Sequence, residues 1–244
     1  MPSLGRAVLS GVRSRNNLLL SLTDGRIDSL LAQGRTERYE RGDLLVKLGD
    51  PIPDLGFPLS GMISLTIDTS EGQTVEVAVT GREGFVGVGR FLGREISDTN
   101  AVVQVPGEVF HAEPRLVQEI AAADAGFSAA INRFLNSLLV ETSQTAVCNQ
   151  VHSVEQRTAR WLLHAADRAG TDELQLTHEF LSQMLAVRRS SVTTVIGIFK
   201  RAGLTSTKRG LITVADREGL RGLTCECYAI VYAATPRLDQ PSAM

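Results

Sequence analysis

The spacing of apolar residues changes twice along the chain. Over residues 1–34 leucines mix with polar residues at helical intervals, and "SLTDGRIDSLLAQG" ends at Gly34, a residue suited to closing a helix. From Arg38 to Ala112 the period falls to two. Ile63, Leu65 and Ile67 alternate with Ser64, Thr66 and Asp68; "SEGQ" supplies a turn; then Val75, Val77 and Val79 alternate with Thr74, Glu76 and Thr80. This predicts a hairpin. "NAVVQV" and "GEVFHAE" add strands around Pro106 and Gly107, so the segment reads as a small antiparallel barrel or sandwich.

Beyond Pro114 the helical period returns. Ile131, Leu135, Leu138, Thr142, Thr145 and Asn149 recur at alternating steps of three and four, and neither proline nor glycine interrupts Phe127 to Ala169. One long helix is expected there. A seam of this kind packs on its own copy across a two-fold axis or serves as a core stripe within one subunit, and the polar Thr142, Thr145 and Asn149 favour the dimer.

The stretch "LTHEFLSQMLAVRRSSVTTVIGIFKRAGL", Leu176 to Leu204, holds two amphipathic registers. Thr177 is placed to cap a helix with Phe180, Leu181, Met184 and Leu185 inward; Ala186 and Val187 form a corner; a second helix turns Val192, Val195, Ile196 and Phe199 inward. Its other face carries Arg188, Arg189, Ser190, Ser191, Thr193, Thr194 and Lys200. Two arginines followed by small hydroxyl residues make a slim rod that fits a major groove ~12 Å wide, with Arg189 placed to reach a guanine edge and the hydroxyls to reach phosphates. After Gly203, two short strands flank a Lys208-Arg209-Gly210 turn that offers further cations to a DNA backbone. The pattern is a winged helix-turn-helix.

Charge first argues against this and then supports it. The net charge of the 244 residues is −2, but residues 1–152 hold 13 basic and 18 acidic side chains, whereas residues 153–244 hold 12 and 9. The excess of cations lies with the helix-turn-helix, and screening confines distant acids to a reach of ~8 Å. At 43% hydrophobic the chain is long enough for two cores. It has no apolar run of membrane-spanning length and no basic-then-apolar leader, so a cytoplasmic protein without membrane contact is expected. The histidines, His111, His152, His164 and His178, are scattered, and no nucleophile triad, paired carboxylates or metal spacing emerges; no enzyme is expected. Cys148, Cys225 and Cys227 are expected as reduced thiols, because a pair one residue apart suits neither a disulfide framework nor a zinc site.

The order barrel, long helix, winged helix-turn-helix resembles the Crp/Fnr superfamily of bacterial transcription regulators, from about Leu18 to Leu220. The resemblance rests on the stretch quoted above with "RGLITVADREGL", on "RTARWLL" at Arg157 to Leu163, and on "RGDLLVKLGD" and "PLSGMISL". It implies an α+β chain: an antiparallel β-barrel or jelly roll of cyclic-nucleotide-binding type over 1–125, a dimerisation helix over 126–152, and a winged helix-turn-helix over 153–244. It further implies a homodimer on palindromic double-stranded DNA, with RNA polymerase and a small-molecule effector as further partners. The family's recognition helix often opens with Arg-Glu and carries another Arg four residues after that Glu. Arg189 keeps the first position, while Ser190 and Thr194 stand at the others, so a different operator is expected. The corner, commonly Gly, is Ala186, at a cost of ~1 kcal/mol if left-handed.

Effector residues match less well. Cyclic-nucleotide binders in the family use Gly-Glu for the ribose and Arg-Ser for the phosphate; here Gly87 is followed by Val88, and Ser97 with Asp98, or Thr99 with Asn100, stands at the phosphate position. Thr142 and Ser143 match the pair on the long helix that contacts the base. Arg82, Arg90 and Arg94 are expected as solvated loop charges. A cyclic nucleotide is therefore doubtful as effector. No iron-sulfur cluster is expected, since residues 1–147 hold no cysteine, and His111 alone is expected to be structural rather than a haem ligand. A competing reading from another class is a small-molecule-binding signalling module whose helix-turn-helix contacts protein.

Overall fold

The computed structural model describes residues 11–236; the first ten residues of the opening leucine-rich stretch and residues 237–244 lie outside the described residues. The described part opens on two helices, α1 (Asn17–Leu20) and α2 (Asp24–Gln33). Asn16 is fully buried, yet its bonds are met: its oxygen accepts from the Leu18 and Leu19 amides and its amide donates to the carbonyls of Pro58 and Gly84. Gly34 does end α2, but not through a left-handed turn. Its φ is −90°, and a Cβ there would collide with the Phe110 ring.

Seven strands follow, β1 (Arg35–Tyr39), β2 (Leu44–Val46), β3 (Leu55–Pro58), β4 (Met62–Asp68), β5 (Thr74–Thr80), β6 (Asn100–Val105) and β7 (Gly107–Ala112), with a short helix α3 (Val88–Phe91) between β5 and β6. They form two sheets, ordered β1-β7-β3 and β2-β6-β4-β5, the double-sheet form of a jelly roll. Phe57, Phe85, Phe110 and Phe134 build its aromatic core, with the Phe85 ring 5.5 Å from Phe57 and 5.3 Å from Phe134.

The β4–β5 hairpin forms, closed through Gly72, but its faces differ from the expected alternation. Ser64, Thr66, Glu76 and Thr80 are buried, while Ile67 is exposed. At Glu76 the cover comes from a later element: the Trp161 indole N–H donates to Glu76 Oε1 at 2.7 Å. Period-two alternation assigns two faces but cannot say which is dry when both are partly covered.

Helix α4 (Pro114–Ala123) is capped by Glu113, whose carboxylate accepts from the Arg115 and Leu116 amides, with proline at the first position, where its missing N–H costs nothing. The 27-residue α5 (Ala125–Val151) follows. The stretch free of proline and glycine up to Ala169 is divided between two helices. Ser153 and Gln156 form a reciprocal capping box that starts a new helix, α6 (Val154–Ala169). Ile131, placed on the expected dimer seam, is instead buried in its own chain's core, whereas Leu139 is 67% and Val147 48% exposed. Leu135, Leu138, Thr142 and Thr145 are half-buried.

The remainder comprises β8 (Glu173–Leu174), α7 (His178–Met184), α8 (Arg189–Arg201), β9 (Thr205–Lys208), β10 (Leu211–Val214), α9 (Arg217–Gly222) and α10 (Glu226–Ala234), with sheet order β8-β10-β9. Two compact units result. One includes residues up to Ser64 and Thr80–Leu138; the other joins the hairpin segment Leu65–Val79 to Leu139–Ala234. Among the described residues no helix is long and apolar enough to cross a membrane.

Candidate nucleic-acid interface

Helix α7 begins at Thr177, whose hydroxyl accepts from the Phe180 amide at 3.1 Å, and buries Leu181 and Met184. Leu185 is buried as well, while Phe180 is only half-buried and meets Trp161 edge-on, ring centroids 6.2 Å apart. The corner then turns through Ala186 at φ 49°, a left-handed conformation that costs a residue with a Cβ ~1 kcal/mol. Two bonds hold it: the Ala186 amide donates to Gln183 O and the Val187 amide to Ser182 O, both at 3.0 Å. A third comes from α6, where the buried Arg157 guanidinium donates to the Leu185 carbonyl.

Helix α8 buries Val192, Val195, Ile196 and Phe199. Arg188, Arg189, Ser190, Thr193, Thr194 and Lys200 are exposed, and Ser191 is half-buried. Thr193 and Thr194 donate back to the Arg189 and Ser190 carbonyls at 3.0 Å, which fixes their hydroxyls along the helix and leaves their lone pairs outward. The His178 ring nitrogen Nδ1 lies 3.1 Å from Thr193 Oγ1. Since that hydroxyl already donates to Arg189, His178 supplies the proton and ties α7 to α8. Burial and the Arg189 charge hold its pKa below the ordinary histidine value, which favours the neutral ring this bond uses.

The N-terminus of α8 is the telling feature. Its cap residue is Arg188 with no side-chain cap bond, and the next residue is Arg189. A helix N-terminus is positive, so two cations there oppose the dipole by ~0.3–1 kcal/mol each; the Ser191 amide donates to the Arg188 carbonyl at 3.0 Å, and no side chain caps the amides before it among the described residues. An anion corrects both at once. Among the described residues Arg189 pairs only with Glu179, at 3.7 Å, with both side chains more than half exposed; such a pair is worth little and gives way readily.

The wing closes through Arg209 (φ 23°) and Gly210 (φ 75°), between the paired Lys208 and Leu211. Both central residues have positive φ, the form that suits the twist of a two-residue hairpin. Between wing and helix lies an open cleft of about 290 Å³, lined among others by Thr177, His178, Arg189, Lys208 and Arg209. Helix tip and wing cations thus line one concavity. The positive excess of the C-terminal part is less available than its count suggests: Arg157 and Arg160 are buried, Arg168 pairs with Glu141, and Arg217 pairs with Asp167 and Asp172.

A model described as a Crp-like helix-turn-helix domain matches residues 156–223, and one described as a cyclic nucleotide-binding domain matches residues 36–124. The chain belongs to the Crp/Fnr family. It is a DNA-binding transcription regulator and not an enzyme. The "Global nitrogen regulator" of Nostoc sp. PCC 7120 is 24% identical over 187 residues, covering 73% of this chain and 84% of the relative. FixK2 from Bradyrhizobium japonicum superposes with a TM-score of 0.68 at 13% identity, over 79% of this chain and 98% of that one. A crp/fnr-family regulator from Eubacterium rectale gives 0.66 at 18% identity, over 86% and 98%.

The effector region of this Crp/Fnr protein does not fit a cyclic nucleotide. Gly87 is left-handed (φ 96°) and opens α3, but Val88 beside it packs on the core and offers no ribose acceptor. Ser97 donates to the Thr99 carbonyl at 2.7 Å, and Asn100 Oδ1 accepts from the Leu48 amide at 2.8 Å, so both organise the loop. Asp98 adds negative charge and pairs with Arg94 at 2.7 Å. Arg90 pairs with Glu95, and Arg82 donates to the Arg15 carbonyl, so each of these guanidinium groups already has a partner within the protein. Thr142 and Ser143 donate back to the Leu139 carbonyl. His111 lies 2.9 Å from the Tyr39 hydroxyl, which donates to Glu37, and burial lowers its pKa; it acts as a neutral hydrogen-bond donor.

Sequence spacing missed one constellation. Cys148 on α5 and His152, one residue past its end, meet Cys225, one residue before α10, and Cys227 on α10, with all four donor atoms within 4.8 Å of one another. Cys225 and Cys227 alone do not chelate, but the fold brings two more candidate donors to them from some 75 residues away. The signal available was Cys148 and His152 at i and i+4 in one helical pattern.

Proposed function

We propose that the protein acts in the cytoplasm as a homodimer that sets Arg189 of each subunit into successive major grooves of a palindromic site, with half-sites ~34 Å apart. The uncapped, doubly cationic start of α8 carries this reading, because its arrangement costs the isolated protein stability that DNA phosphates return. Thr177, Ser190, Ser191, Thr193 and Thr194 contact backbone or base edges, and Arg188, Lys200, Lys208 and Arg209 bind phosphates. The two-fold seam runs along α5 through Leu135, Leu138, Thr142 and Thr145, and the exposure of Leu139 and Val147 on that helix supports an apolar partner surface. Bound at its operator, the dimer acts on RNA polymerase in response to an effector other than a classical cyclic nucleotide.

Selection of bound duplexes from a random pool, with and without cyclic nucleotides, tests this reading. The expected outcome is an inverted repeat unaffected by the nucleotide. Lys208→Gln is expected to weaken all sequences alike and to reduce the salt dependence of log K by ~1, measured by titration across ionic strengths. Recovery of no sequence, together with binding that does not depend on salt, would instead indicate a protein-contacting helix-turn-helix.

A further inference from the structure

We propose that Cys148, His152, Cys225 and Cys227 form a closed, four-coordinate site for a soft divalent cation, zinc above all. Cys148 Sγ lies 3.5 Å from Cys225 Sγ, and Cys227 Sγ lies 3.7 Å from His152 Nδ1. Ligands held ~2.3 Å (sulfur) and ~2.0 Å (nitrogen) from one tetrahedral ion stand ~3.5–3.8 Å apart; these two pairs already have that separation, and every other pair lies within 4.8 Å. The thiolates around a four-iron cube would stand farther apart than the 4.8 Å that bounds this set. Three sulfurs and one imidazole leave no open position, the pattern of a structural rather than a catalytic site.

The surroundings support the assignment. His152 presents Nδ1 to the sulfurs and Nε2 to Glu226 Oε1 at 3.3 Å, the carboxylate–histidine relation that fixes the ring of a metal-bound imidazole. Three thiolates on a divalent ion leave one net negative charge. The buried Arg160 guanidinium offsets it, since its charge acts on both Cys148 and Cys227 and its Nε has no hydrogen-bond partner among the described residues. Loading releases three thiol protons to solvent as three metal–sulfur bonds form, with no change of oxidation state. Without the ion, burial holds Cys148 up at about 11 and Cys227 at about 12, so the thiols are neutral and poor nucleophiles, which speaks against a redox sensor. The ion would fasten the last turn of α5 to the start of α10 within one compact unit.

The test uses the full-length chain, purified without a metal-affinity tag and kept reduced. Elemental analysis is expected to find about one zinc ion per chain. Exchange for Co²⁺ is expected to give the thiolate charge-transfer and tetrahedral d–d absorption bands, both lost in Cys227→Ser. Glu226→Gln is expected to weaken Co²⁺ binding ~10–100-fold and Glu226→Asp to restore much of it, which distinguishes an orienting role from a loss of fold. The proposal is overturned if the folded, reduced wild-type protein holds no zinc and gives no thiolate–cobalt band. A Cys148–Cys225 disulfide in anaerobically prepared protein, or cobalt binding unchanged in Cys227→Ser, overturns it equally.

Discussion

Replacing Arg189 with alanine is expected to lower affinity for the preferred duplex ~5–150-fold and to relax selectivity at one base pair in each half-site. The range follows from the worth of a bidentate guanidinium–guanine contact, ~1–3 kcal/mol. Arg189 stands at the first position of α8, and its only ion pair among the described residues is the loose one with Glu179, so little intramolecular energy is lost in the free protein. Stability should therefore hold while recognition fails. Competition binding against single-base variants of the selected site, with sedimentation to monitor the oligomeric state, provides the measurement. Unchanged base preference with an intact fold would remove Arg189 from the recognition surface.

The second large effect concerns stability. Arg168→Met is expected to destabilise the protein by ~3–5 kcal/mol, because it leaves the Glu141 carboxylate buried without its cation. Arg168 Nη2 lies 2.7 Å from Glu141 Oε2, and both side chains are less than a tenth exposed. The pair itself is not the source of that figure; an uncompensated charge in a dry setting is. The double variant Arg168→Met with Glu141→Leu should therefore recover most of the loss, as denaturant titration of the four proteins in a mutant cycle would show. A single-variant loss below ~1 kcal/mol would mean that water reaches Glu141.

The two helices of the helix-turn-helix were legible because their information is local. Val192, Val195, Ile196 and Phe199 repeat at helical spacing, and the interior fills that stripe. The wing was legible for the same reason, its turn being marked by Lys208-Arg209-Gly210. What escaped depends on long-range contact. Glu76 reads as solvent-facing until Trp161, 85 residues later, is known to lie against it. Arg157 and Arg160 count as basic surface until packing buries them, and Ile131 counts as seam until the aromatic core encloses it. The capping box at Ser153 was readable in principle, as Ser followed three residues later by Gln, but the unbroken helical period on either side concealed it. The four-donor cluster was the least accessible, since its halves sit far apart in sequence.

The bond between Trp161 and Glu76 also bears on how the protein can be cut into pieces. A fragment beginning at Ser153 would retain the whole reading head and both wing strands, yet it would lose the Glu76 carboxylate that receives the indole proton, together with the hairpin segment Leu65–Val79 that belongs to the same compact unit. Such a truncation is not a clean excision of a module, because one wall of the DNA-reading unit is encoded some 85 residues upstream, in the half of the gene that specifies the jelly roll.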